Sequence, residues 1–117
     1  MSTSVNIACV GELEIDLVAW RVKRGSRVIK LAPLEFRLLA CLAEHIGQVV
    51  SYDKLLDEVW RYAPDAGGTL EQLRTCVKRL RQEIEPDPYH PQYIINIEKV
   101  GYRLRNQTQW EEATRSS

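Results

Sequence analysis

Glu71, Gln72, Thr75, Lys78, Arg79 and Gln82 recur at short intervals within one stretch, Thr69 to Glu85, TLEQLRTCVKRLRQEIE. At about 100° per residue they share one side of an α-helix, with Arg74 and Arg81 along a flank. Leu70, Leu73, Val77, Leu80 and Ile84 recur opposite them at helical spacing, a stripe that must pack on a core. The polar side offers cations, a hydroxyl and amides, which is the equipment for hydrogen-bonding a polyanion rather than for breaking a bond. Two readings are open: a solvated basic face on a core helix, which the stretch alone favours, or a surface that grips a polyanion.

Residue types suited to covalent chemistry are sparse elsewhere. His45 and His90 are the only histidines, and neither has cysteines or carboxylates at nucleophile or ligand spacing. Cys9, Cys41 and Cys76 lack the paired C-x-x-C spacing of a zinc site or redox dithiol. Neither a metal nor a cofactor is expected, nor a small-molecule substrate. Cys41 reads as a small core residue, and Cys76 falls at the margin of the helical stripe, where it is expected to be partly exposed. Unpaired cysteines, a polar N-terminus and the lack of an apolar run of about 18 residues predict a soluble, cytoplasmic protein with no membrane partner.

A chain of 117 residues supports one domain with a single core. Sixteen basic and sixteen acidic residues cancel, so net charge carries no nucleic-acid signal, and only the distribution is informative. Residues 20–30 and 72–82 are basic without an acid, whereas Asp53, Asp57 and Glu58 cluster elsewhere.

The elements that must position the polar face can be taken in order. Alternating apolar residues predict four short antiparallel strands near 5–10, 12–16, 19–23 and 27–31, with a turn at Arg24, Gly25 and Ser26. The basic residues of the last two strands either touch nucleic acid or guard an exposed sheet edge, the second being favoured. Pro33 opens a core helix bearing Leu34, Leu38, Leu39, Leu42, Ala43 and Ile46, which ends at Gly47; Ala32 before it has no capping oxygen. Val49 and Val50 read as an extended link. Ser51 then caps a second helix with an acidic polar face, which phosphate would repel. A loop, RYAPDAGG, precedes the long helix, which Thr69 and Gln72 start as a capping box and Pro86 and Pro88 stop. Two strands, Ile94–Ile97 and Val100–Leu104, flank a turn at Glu98 and Lys99, and Gly101 predicts a bulge or close backbone approach. Residues 106–117 read as a polar, poorly ordered tail, and 1–5 as a flexible N-terminus.

This order of elements, with LAPLEFRLLACLAEHIGQVVS, LLDEVW, VKRLRQEIEP and KVGYRL at ordinary spacing, closely resembles the OmpR/PhoB-type winged-helix domain, the DNA-binding output module of bacterial response regulators. The resemblance spans about residues 6–105. It implies an α+β fold: a winged helix-turn-helix with an N-terminal four-stranded antiparallel sheet, three helices and a C-terminal β-hairpin wing. It further implies that the third helix enters the major groove of double-stranded DNA, that the wing reaches toward the minor groove, and that the protein regulates transcription.

Carried over residue by residue, the DNA-facing positions of the third helix are Arg74, Thr75, Lys78, Arg79 and Arg81, with Glu71 and Gln82 also in reach of bases. Lys78 and Arg79 suit guanine O6 and N7, and Glu71 suits cytosine N4. Arg81, beside the apolar stripe, is open between a phosphate contact and a structural partner. Trp60, Asn96 and Tyr102 match positions that touch the sugar–phosphate backbone, and Trp60 also suits the core. The loop with Arg61, Tyr62, Pro64 and Asp65 matches the segment that contacts RNA polymerase or shapes a homodimer on DNA. Where many relatives carry arginine then glycine at the wing tip, this chain has Glu98 and Lys99; Glu98 is repelled by a minor groove, and Lys99 retains a phosphate contact. The receiver domain that usually precedes the module is not in these residues, so no aspartate is assigned as a phospho-acceptor. The competing reading, kept open by the neutral net charge and Glu98, is a winged-helix module that binds RNA polymerase or another regulator with only residual DNA affinity.

Overall fold

In a computed structural model, which describes residues 7–61 and 68–115, the alternating N-terminal residues form the expected antiparallel meander. Strands β1 (Ile7–Val10), β2 (Leu13–Asp16), β3 (Arg21–Arg24) and β4 (Arg27–Ile29) pair in that order. Ile15 sits opposite Val22 in the register, and Leu13, Ile15 and Val22 are all buried, so one face of the sheet covers the core. The flexible segment expected at residues 1–5 lies outside the described residues.

Three helices follow as the periodicity predicts: α1 (Pro33–Glu44), α2 (Tyr52–Trp60) and α3 (Leu70–Ile84). Pro33 stands in the first turn of α1, and although Ala32 has no side-chain oxygen, its backbone N–H donates to Glu35 Oε1 at 3.3 Å. Ser51 Oγ accepts from Lys54 N at 3.1 Å, which caps α2. Leu38, Leu39 and Leu42 of α1, Leu55 and Val59 of α2, and Leu73, Val77, Leu80 and Ile84 of α3 meet in one core.

Val49 and Val50 are more than a link. They belong to β5 (Val49–Ser51), which adds to the hairpin of β6 (Ile94–Ile97) and β7 (Gly101–Leu104) to make a three-stranded sheet in the order β5-β7-β6. A strand of three residues is too short to show a period. Gly101 lies opposite both Ser51 and Ile97, and a Cβ there would strike the carbonyl oxygen of Val50. The expected close backbone approach is therefore present, on the β5 side.

The C-terminal residues differ from the expected disordered tail. They form α4 (Gln107–Arg115), opened by a reciprocal cap in which Gln109 N donates to Asn106 Oδ1 at 2.8 Å and Asn106 N to Gln109 Oε1 at 2.9 Å. Trp110 then stacks flat on Tyr93, with ring centroids 4.6 Å apart. It also fills the space a side chain at Gly11 would need, since a Cβ there would lie 2.6 Å from the indole. The α4 helix thus ties the wing sheet to the β1–β2 turn, helped by Gly11 N donating to Gln107 Oε1 at 2.8 Å. Trp110→Ala is expected to lower unfolding free energy by about 2 kcal/mol, less than a fully buried tryptophan because the ring is half-buried; urea denaturation measures it.

Cys76 is a second correction. It is buried rather than marginal, and burial pushes its thiol up to about 12. Cys41 is likewise buried and pushed up to about 11 by the same cause, with Glu58 and Glu44 adding to it. Thiolate is the reactive form, so a thiol reagent at pH 8 is expected to modify exposed Cys9 and to reach the other two only in denaturant. Mass spectrometry of the labelled native protein checks this.

Candidate nucleic-acid interface

The 15 residues of α3 give a rod about 22 Å long at 1.5 Å per residue. Its start is fixed by the predicted capping box: Gln72 N donates to Thr69 Oγ1 at 3.1 Å and Thr69 N to Gln72 Oε1 at 2.8 Å. With one stripe committed to the core, the opposite side is left to solvent. Glu71, Gln72, Arg74, Thr75, Lys78, Arg79 and Gln82 are all exposed there. The structure brings this predicted set together on one surface.

Among the described residues, no ion pair engages Arg74, Lys78 or Arg79. Three cations are therefore held on a rigid support with no ion pair to be broken among the described residues. Thr75 donates its hydroxyl back to Glu71 O at 3.1 Å, which leaves its methyl and an acceptor lone pair facing out. The acids of α2 are occupied differently, since Arg61 pairs with Asp57 at 2.9 Å and with Glu58 at 3.1 Å. Tyr62, Pro64 and Asp65 lie outside the described residues.

Three expected site residues are placed otherwise than as open surface. Arg81 turns inward: its Nη2 donates to Ile94 O at 2.9 Å, and its guanidinium lies 5.9 Å from the centre of the Tyr102 ring. Burial draws the guanidinium below its ordinary value, against the pull of Tyr102 and Glu85. Of the two alternatives for Arg81, the structure has the structural partner, and that partner is a carbonyl rather than an acid. Tyr102 is buried, edge-on to Tyr52, and Trp60 is buried against Gly68. For Trp60 this is the core placement that its sequence also suited, and both rings pack between the helices and the wing.

The wing tip keeps Asn96, Glu98 and Lys99 exposed, with Asn96 Nδ2 donating to Tyr52 Oη at 3.3 Å. Lys99 adopts φ +66°, the left-handed region that favours glycine. The turn thus keeps a glycine-type backbone while carrying a cation.

Sequence reasoning missed three residues. Tyr89 is 90% exposed and shares a hollow with Lys78 and Gln82; a crossing punctuated by Pro86, Pro88 and Pro91 has little capacity to bury it. Arg24, read as part of a basic sheet edge, donates to Ile84 O at 3.2 Å and Glu85 O at 3.0 Å. Glu85 is buried, and its carboxylate accepts from Gln92 N at 2.7 Å, Tyr93 N at 3.0 Å and Ile94 N at 2.8 Å. Burial pushes this carboxyl up from the ordinary glutamate value, while those three N–H groups and Arg81 oppose the shift. A single glutamate before a proline carries no sequence signal of such a role. His90 pairs with Asp87 at 2.9 Å in solvent, and no group of three potential metal ligands occurs among the described residues.

Residues 25–104 match the family profile described as "Transcriptional regulatory protein, C terminal". The chain belongs to that family. The OmpR/PhoB type is confirmed by structure as well. The response regulator DrrB of Thermotoga maritima, an OmpR/PhoB homologue, superposes with a TM-score of 0.77 at 35% identity, covering 86% of this chain and 45% of its own. The Klebsiella pneumoniae RstA DNA-binding domain, solved in complex with the RstA box, gives 0.71 at 27% identity, covering 85% of this chain and 96% of its own. Among curated relatives, the DNA-binding response regulator MtrA of Mycolicibacterium smegmatis is 42% identical over 94 residues, 80% of this chain and 40% of that protein. The chain therefore spans about 40% of the length of the curated relatives it matches. The family is one of transcriptional regulators, not a class of enzymes. No helix among the described residues is long and apolar enough to cross a membrane.

Proposed function

We propose that this chain binds double-stranded DNA sequence-specifically and regulates transcription, as the output part of a cytoplasmic two-component response regulator, with α3 in the major groove. The observation that carries this is the exposed Arg74, Thr75, Lys78 and Arg79 face on a helix whose other side is locked into the core. A major groove about 12 Å wide admits one α-helix, and cations with no ion pair among the described residues can meet phosphates and base edges without first breaking such a pair. Lys78 and Arg79 suit guanine, Thr75 suits a thymine methyl or a donor, and Glu71 and Gln82 flank them as further base contacts. Arg74 sets register on the phosphates, with Lys99 and Asn96 at the wing. In this reading the domain does no covalent chemistry and needs no cofactor; copies pair on repeated half-sites, and the loop with Arg61, Tyr62, Pro64 and Asp65 serves as the contact for RNA polymerase or the neighbouring copy.

The test is selection from a pool of random duplexes by the immobilised chain. Enrichment of one short motif is expected; a pool that stays random through successive rounds contradicts sequence-specific binding.

A further inference from the structure

The helix and the hairpin that together meet the duplex are separated by residues 85–93, a crossing that contains Pro86, Pro88 and Pro91 and no regular pairing. The crossing itself cannot hold two stiff elements at a fixed angle, so the angle depends on core packing, on the pairing of β7 with β5 and on the side chains at the junction. Glu85, immediately after the last turn of α3, accepts from three successive backbone N–H groups, Gln92, Tyr93 and Ile94, that lead into β6. Arg81, one turn earlier, donates to the carbonyl of the third of these residues, Ile94. Both backbone groups of Ile94 are therefore held by side chains of the last turn of α3 and its C-cap. Behind the junction, Arg24 of β3 takes the carbonyls of Ile84 and Glu85, which the end of the helix leaves without intrahelical partners.

We propose that Glu85, Arg81 and Arg24 are positioning residues for DNA binding: together they fix the angle between α3 and the β6–β7 hairpin, so that both reach one duplex in register. The inference rests on the DNA-binding reading above. Lever arithmetic shows why the angle matters. Lys99 lies five residues beyond Ile94, a reach of about 16 Å at about 3.3 Å per residue, so a rotation of about 10° at Ile94 moves the wing tip by about 3 Å. That exceeds the roughly 0.5 Å within which a binding constellation must be held. A buried carboxylate that accepts several N–H groups has little freedom to turn, because each bond lost leaves a buried donor unpaired.

The experiment measures amide residual dipolar couplings of α3 and of β6–β7 in the wild type, Glu85→Gln, Arg81→Met and Arg24→Met, and the affinity of each for the selected duplex. In the wild type one alignment tensor is expected to fit both elements. In Glu85→Gln the new amide sets an N–H group against backbone N–H groups, so the hairpin couplings are expected to need a tensor of their own. Affinity is expected to fall at least about tenfold, with the helix content unchanged. If Glu85→Gln does not fold, the two arginine variants decide, with the same direction expected. A single unchanged tensor in the folded variants overturns the coupling. A displaced hairpin with undiminished affinity overturns its part in DNA contact. Failure of the wild type to bind any duplex would strike the DNA-binding reading itself, while the tensors still report on the junction.

Discussion

Lys78→Ala combined with Arg79→Ala is expected to lower affinity for the selected duplex by on the order of 10²-fold, since each good bidentate contact to a base is worth about 1–3 kcal/mol. Both side chains are exposed, and α3 is anchored by Leu73, Val77, Leu80 and Ile84 on its other side. Alanine is the best helix former, so the melting temperature should hold, and circular dichroism checks that the loss is one of recognition. Salt dependence then divides the roles. A lost phosphate contact lowers the slope of log affinity against log salt by about one, whereas a lost base contact relaxes the preference at one position of the motif. Fluorescence anisotropy over a range of salt concentrations reads both. An unchanged affinity would mean that the exposed face of α3 is not the binding surface.

Gly101→Ala is expected to produce the largest loss of stability from a single methyl group, at least about 3 kcal/mol and above the usual range for overpacking, because the atom it meets is backbone. Strand β7 sits between β5 and β6, and the new Cβ would press on the Val50 carbonyl. A flexible side chain could turn aside, but this carbonyl belongs to β5, which is held in register against β7 at Val50 and Ser51. Relief requires β5 to peel away from β7, which also loosens the N-terminus of α2 at Ser51 and Tyr52. Urea denaturation gives the magnitude; a midpoint within error of the wild type would show that the strands have room which the structure does not give them.

The long elements were legible because each repeats its signal. Five apolar positions along α3 and its two-residue cap define the helix, its buried side and therefore its polar side, and the same reasoning recovers α1, α2 and the four-stranded meander. Short or single-residue devices were not legible. Strand β5 has three residues and no period. The α4 helix carries its capping pair, Asn106 and Gln109, at the spacing that was recognised at Thr69 and Gln72, yet a polar stretch with one tryptophan gave no apolar stripe to prompt the same reading.

Within the interface, residue type placed Arg74, Thr75, Lys78 and Arg79 on the surface because helical geometry alone decides that. It could not place Arg81 or Tyr102, whose partners are distant in the chain: Ile94 and Tyr102 for Arg81, and Tyr52 and Arg81 for Tyr102. Arg24 and Glu85 were misjudged or overlooked for the same reason: a buried polar partnership depends on what the fold brings near, not on neighbours in the chain. Lys99 shows the converse, since its departure from glycine was visible in the sequence and the backbone still takes the left-handed turn.

The central claim is that the exposed side of α3 enters a duplex while α2 stays clear of it. Titration of the isotopically labelled chain with the selected duplex, followed by amide chemical shifts, tests this residue by residue. The largest changes are expected at residues 71–82, with a second group at the wing tip around 96–99, and little change along the polar face of α2 at Asp53 and Asp57. Large shifts on α2 with α3 unmoved would contradict it.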